Sequence, residues 1–194
     1  MSAKEEFISI FRENIKREGA DKLLEYLQSS DFFEAPASSR FHSTFVGGLA
    51  DHSINVYYRL KKLVEGEDSM YKMYSDETIA IVGLLHDLCK INFYVQDYHR
   101  VNDGGVWVTK PYFRIDEVLP FGHGEKSVYI VQQFIKLTDV EALSIDWHMG
   151  PYDDRAKGGS YALGQAFHLE HLAFLTYIAD SMATYLDEDS ENEN

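Results

Sequence analysis

The sequence predicts an all-α domain interrupted by one small β-hairpin. Three observations lead there. Apolar residues return at three- and four-residue intervals through successive segments, as on the buried face of a helix. A single turn signal, Asn102-Asp103-Gly104-Gly105, stands between β-branched and aromatic residues over Val101–Thr109. And 194 residues at 45% apolar content are enough for one buried core and too few for two.

Taken in order, Phe7, Ile8, Phe11 and Ile15 share one helical face, and Leu23, Leu24 and Leu27 repeat the pattern after a break near Gly19. These predict two short amphipathic helices. Residues 31–48 hold Pro36, several serines and paired glycines, an irregular connection. A third helix is expected from about Leu49 to Leu63 and a fourth from about Asp76 to Cys89, where Asp76 and Glu77 suit the positive end of the helix dipole. Residues 92–119 break the helical rhythm and carry the hairpin. Two helices follow, over about Glu125–Ile135 and Asp139–Trp147, the second opened by the capping box of Thr138 and Glu141. Residues 153–160 are polar and glycine-rich, a surface loop by composition, and a last helix spans about Gln165–Leu186. The expected organisation is a single domain over residues 1–194: N-terminal helices in 1–40 packing on a core in 41–186, then a disordered acidic tail in 187–194.

Lys and Arg number 18 against 32 Asp and Glu, a net charge of −14 to which the tail contributes five acids. Such a surface repels a phosphate backbone, so small-molecule substrates are favoured over long nucleic acid. No run approaches the roughly 18 apolar residues of a membrane span, and the opening residues lack the basic-then-apolar pattern of a signal peptide. No membrane association and a cytoplasmic location are the expectation; the oligomeric state stays open. Cys89 is the only cysteine, so a thiolate-rich zinc site cannot be built and any metal must be held by histidines and carboxylates.

Polar residues of that kind fall on inward stripes. His52 lies in line with Leu49, Val56, Leu60 and Leu63; His86 with Ile79, Val82 and Cys89; Asp180 with Ala173, Thr176 and Ala183. Asp87 follows His86 directly, His123 opens a helix within Gly122-His123-Gly124-Glu125, and His148 ends the helix carrying Ile145. One inward histidine is ordinarily a hydrogen-bonded core residue. Five inward polar sites in a small acidic domain are harder to satisfy, because a buried charge without a partner is costly and a shared cation removes that cost. Imidazole with carboxylate suits Fe, Mn, Zn or Ni better than Ca or Mg.

The order His52, His86-Asp87, His123, His148, Asp180 resembles the H…HD…H…H…D signature of the HD-domain superfamily of metal-dependent phosphohydrolases. The resemblance covers about Phe41 to Leu186 and is strengthened by the runs 47–53, 84–90 and 178–180. Residues 32–38 and the Gly47-Gly48-Leu49 opening are similar to small HD proteins of bacteria and their phages, and to the HD part of a bacterial 3′-to-5′ exoribonuclease. What the resemblance implies is an HD-domain helical bundle holding two divalent transition-metal ions, Fe or Mn foremost, with Zn, Ni or Co acceptable. His52, His86, Asp87 and Asp180 would hold the first ion, His123 and His148 the second, with Asp87 bridging. Two such ions can share a water and lower its pKa enough to supply a bridging hydroxide near neutral pH. The implied reaction is hydrolysis of a phosphomonoester or phosphodiester bond in a nucleotide or nucleotide-like substrate.

Lys90 resembles the lysine that follows the HD pair in many members and would neutralise a substrate phosphate, unless it merely snorkels at the surface. Arg40 and His42 precede the glycine pair and are candidate substrate contacts at the pocket mouth. Trp107, Tyr112 and Phe113 are candidates to stack on a base, or simply pack the hairpin onto the bundle. His99, His168 and His171 stand outside the signature; His171 is a candidate to support a ligand from behind. Three other readings share the pattern: a mixed-valent di-iron oxygenase, a single-strand 3′-to-5′ exonuclease, and a binding module without activity. The negative charge weighs against the second and the complete ligand set against the third.

Overall fold

The computed structural model describes residues 1–38, 43–67 and 73–188 of the chain. Its elements are α1 (Ala3–Asn14), α2 (Ala20–Ser29), α3 (Gly48–Gly66), α4 (Asp76–Leu85), β1 (Tyr94–Asp103), β2 (Val106–Ile115), α5 (His123–Gln132), α6 (Asp139–Asp146), α7 (Asp154–Lys157), α8 (Ala162–Leu169) and α9 (His171–Met182). This is the helical bundle with one hairpin that the hydrophobic periodicity predicts. α3 lies at its centre against α1, α4 and α9, while α6 packs on α4, α5 and α9. Leu49, Val56 and Leu60 of α3 and Ile81, Val82, Leu84 and Leu85 of α4 are completely enclosed. Each such side chain contributes about 1.5–3 kcal/mol of burial free energy. No helix among the described residues is long and apolar enough to cross a membrane.

The N-terminal helices are tied to the rest by both grease and charge. Phe7, Phe11, Leu23 and Leu27 are fully buried, and the Phe7 ring lies 4.9 Å from that of Phe32. Arg17, just before α2, donates to both oxygens of Glu141 at 2.8 Å. Glu141 is itself fully buried and also closes the capping box of α6, accepting from the Thr138 N–H at 2.9 Å. One carboxylate thus serves two turns of chain that the sequence keeps far apart.

The hairpin pairs Tyr94 with Ile115 through to Asp103 with Val106, closed by a two-residue loop. Both loop residues, Gly104 and Gly105, have positive φ, 60° and 94°, as the tight turn of a right-twisted ribbon requires. Trp107 stays 60% exposed, with the Arg100 guanidinium 5.9 Å over its ring. It stands in solvent rather than packing the ribbon onto the bundle.

Local differences from the sequence expectation have identifiable causes. α4 stops at Leu85 rather than running to Cys89. The His86 side chain donates to the Gly83 carbonyl at 2.9 Å, taking the acceptor that the next N–H would use to continue the helix. The chain then tightens into a 3₁₀ turn over Leu88–Lys90. The long C-terminal helix is divided because Glu170 leaves helical geometry and its carboxylate caps α9 through the Leu172 N–H. Residues 153–160 hold the short α7, capped by Asp153. Asp187 and Glu188, which composition assigns to a solvated tail, are packed: Arg59 of α3 holds Asp187, and the Glu188 side chain is 3% exposed.

Candidate metal centre

Five separate pieces of backbone deliver the polar cluster, the fifth being α9 with Asp180. His52 comes from the buried face of α3, His86 and Asp87 from the turn after α4, His123 from the first residue of α5, and His148 from just beyond α6. His52, His86, Asp87 and His148 are each 2% exposed or less. Asp180 on α9 and His123 are more open, their side chains 17% and 30% exposed, and mark the side from which solvent reaches the cluster.

Glycines set how closely these elements meet. A Cβ on Gly83 of α4 would come within 2.6 Å of the Tyr57 Cα on α3. One on Gly124 of α5 would come within 2.0 Å of the Asp146 carbonyl oxygen on α6. The first close approach brings His86 to His52 and the second brings His123 to His148. Gly124 therefore pins His123 in place rather than loosening it.

Asp87 is the hub. Its Oδ2 lies 3.5 Å from His52 Nε2 and 3.6 Å from His86 Nε2. Its Oδ1 lies 3.4 Å from both His123 Nε2 and His148 Nε2. Asp180 Oδ1 is 3.1 Å from His52 Nε2, and the Nε2 atoms of His52 and His86 are 3.2 Å apart. The cluster resolves into two sets whose ligand atoms lie within 4.8 Å of one another: His52, His86 and Asp87, then Asp87, His123 and His148. One carboxylate turns one oxygen to each set.

Burial, charge and hydrogen bonding set the protonation of the rings. His86 is driven down to about 3 by burial, reinforced by the neighbouring imidazoles, so it stays neutral. Burial opposes charge on His52 as well, but hydrogen bonds to Asp180 and Glu188 outweigh it and raise the ring to about 10. Burial likewise opposes the charge of Asp180, which its contacts with His52 nevertheless hold below the usual carboxylate range. His86 and His148 each commit Nδ1 to a backbone carbonyl, Gly83 at 2.9 Å and Ile145 at 2.7 Å. In His86, whose ring is neutral, that leaves the lone pair on Nε2, and His148 likewise turns its Nε2 toward the cluster.

His148 Nε2 decides whether a metal fits. It is enclosed, has no hydrogen-bond partner among the described residues, and lies 3.4 Å from Asp87 Oδ1. Two acceptors face to face away from water are unfavourable, and a cation between them makes the contact favourable. The donor set, imidazole nitrogen with carboxylate oxygen, is that of divalent transition-metal sites.

A family model described as HD domain matches residues 49–185, most of the chain and every member of this cluster. The chain belongs to the HD-domain family. No curated protein and no solved structure matches the sequence significantly. In this HD domain the histidine and aspartate groupings point to divalent metal binding.

The structure brings together His52, His86, Asp87, Lys90, His123, His148 and Asp180. Lys90 is not a snorkelling surface lysine: it is buried, and its ammonium lies 2.5 Å from Asp87 Oδ2. His99, His168 and His171 are exposed and outside the cluster. Arg40 and His42, expected at the pocket mouth, lie outside the described residues. Sequence reasoning missed Glu188, which accepts from His52 Nδ1 at 2.8 Å. Its only signal was a glutamate shortly after the last inward position of the final helix, hidden within an acidic run.

Proposed function

We propose that this HD domain is a dinuclear metal phosphohydrolase that cleaves a phosphomonoester or phosphodiester bond in a nucleotide or similar small substrate. The observation that carries the reading is Asp87, whose two oxygens face separate imidazole sets. His52, His86, Asp87 and Asp180 would hold one ion, and Asp87, His123 and His148 the other, with Fe or Mn foremost and Zn, Ni or Co acceptable. When bound, such a pair supplies Lewis acidity toward phosphate oxygens and lowers the pKa of a water.

The protein's own residues do the rest. Asp87 sets the spacing between the two sets. Lys90 neutralises part of its charge and holds Oδ2 in place. Asp180 and His123, the more open members, border the approach route. Without cations, Lys90 and the protonated His52 and His123 rings offset the charges of Asp87, Asp180 and Glu188; two divalent ions would make the pocket positive and attract a phosphate. The overall −14 charge meanwhile disfavours long polyanions, which supports a small substrate.

The test is a panel of nucleotides and dinucleotides incubated with Mn- or Fe-loaded protein. Release of phosphate or of a nucleoside monophosphate is expected, abolished by Asp87→Ala. A chain that takes up no metal overturns the reading, as does an Fe-loaded chain that consumes oxygen and releases no phosphate-ester product.

A further inference from the structure

The C-terminal end of the described chain does not trail into solvent. After α9 the backbone widens into one π-helical turn over Ala183–Asp187, which swings the chain back across α3. There Arg59 Nε donates to Asp187 Oδ2 at 2.7 Å. The next residue, Glu188, turns inward, its side chain 3% exposed. Its Oε1 accepts from His52 Nδ1 at 2.8 Å and from Asn55 Nδ2 at 3.5 Å, and Oε2 accepts from Ser43 Oγ at 2.7 Å. A carboxylate so enclosed needs such donors to remain there.

The location is specific. Nδ1 and Nε2 are the two ends of one ring, and Nε2 of His52 faces Asp87, Asp180 and His86. Glu188 therefore grips the side of His52 turned away from the cluster. A carboxylate on the far nitrogen fixes the ring's rotation, assigns the N–H to Nδ1, and makes Nε2 a stronger base. His86 and His148 take neutral backbone carbonyls from their own helices for the same purpose. His52 takes a full negative charge, delivered by a segment 136 residues away.

We propose that Glu188 is a positioning residue for the His52 metal set, so that docking of the C-terminal strap governs how tightly that set holds its ion. The inference rests on the metal-centre reading above, and its test separates the two. Mn2+ affinity is measured by competition titration for the full-length wild type, Glu188→Ala and Glu188→Gln. Each is measured again in a His148→Ala background, which isolates the His52 set. Unfolding in EDTA checks that each variant is folded.

Glu188→Ala is expected to weaken Mn2+ binding at the His52 set about 10- to 100-fold and leave the His123 and His148 set unchanged. Glu188→Gln, which keeps an oxygen acceptor of the same shape without the charge, is expected to recover part of the loss. Should Glu188→Ala not fold, Glu188→Gln against wild type carries the comparison. Unchanged affinity in a folded variant overturns the inference and leaves the metal centre standing. Equal weakening at both sets also overturns it, since that is loosening of the whole fold. A wild-type chain that binds no Mn2+ removes both.

Discussion

Lys90 Nζ sits 2.5 Å from Asp87 Oδ2, with both side chains buried. Burial alone would raise the Asp87 pKa, but Lys90 and the surrounding imidazoles hold it well below the usual carboxylate range. Asp87 in turn holds Lys90 above its ordinary value against the effect of burial. The ammonium stands where a cation is otherwise needed. Lys90→Met removes the nearest compensating charge from that buried carboxylate, so stability in EDTA should fall by about 3–5 kcal/mol. Saturating Mn2+ should restore most of it. Urea unfolding with and without metal measures both; equal losses in the two conditions would contradict the idea.

Metal stoichiometry dissects the shared carboxylate. Elemental analysis should give two ions per chain for the wild type, one for His148→Ala, and neither held tightly for Asp87→Ala. His52→Ala should also leave one, on the opposite set. If Asp87→Ala still keeps one tightly bound ion, Asp87 does not serve both sets.

Protonation limits the stability of the EDTA-treated protein from both sides. His52 is raised from 6.5 to about 10, so its contribution is complete below pH 6.5 and is lost as pH rises through 10. His86 is lowered from 6.5 to about 3, so its contribution is complete above pH 6.5 and is lost as pH falls through 3. Asp180, whose pKa is depressed from 3.8, adds to the acid-side loss. Thermal unfolding should therefore show a maximum near pH 6.5. Metal must displace the His52 proton, so Mn2+ affinity should climb with pH through the neutral range. An affinity independent of pH would argue against His52 as a ligand.

Helix approach tunes the cluster from outside it. Gly83→Ala would drive a methyl group to 2.6 Å from the Tyr57 Cα and push α4 away from α3. Overpacking of this kind costs about 1–3 kcal/mol. Because α3 and α4 deliver His52 and His86, Mn2+ affinity at their set should fall with stability. Gly124→Ala, where α5 meets the Asp146 carbonyl, should instead weaken the His123 and His148 set. Calorimetric titration of the two variants distinguishes the sets, and interchangeable effects would refute this geometry.

The cluster's membership was legible from residue order because helical period assigns a face. A histidine at His52 in step with Leu49, Val56 and Leu60 has to turn inward with them. The capping box at Thr138 and the glycine turn of the hairpin were legible for a similar reason, since each is a local hydrogen-bonding or φ requirement. The end of α4 was not, because periodicity carries on through His86 and Asp87 even though a side-chain hydrogen bond terminates the helix.

By itself, the amino-acid order determined a helical bundle, one hairpin, and a set of imidazoles and carboxylates meeting inside it. Only the tertiary structure decided that Asp87 divides its oxygens between two imidazole sets, that Lys90 pairs with it, and that Glu188 leaves an acidic tail to grip His52. Those relationships depend on how closely α3, α4, α5, α6 and α9 approach. Helical periodicity fixes direction around an axis, whereas distance between axes is set by contacts such as Gly83 on Tyr57 that no single segment encodes.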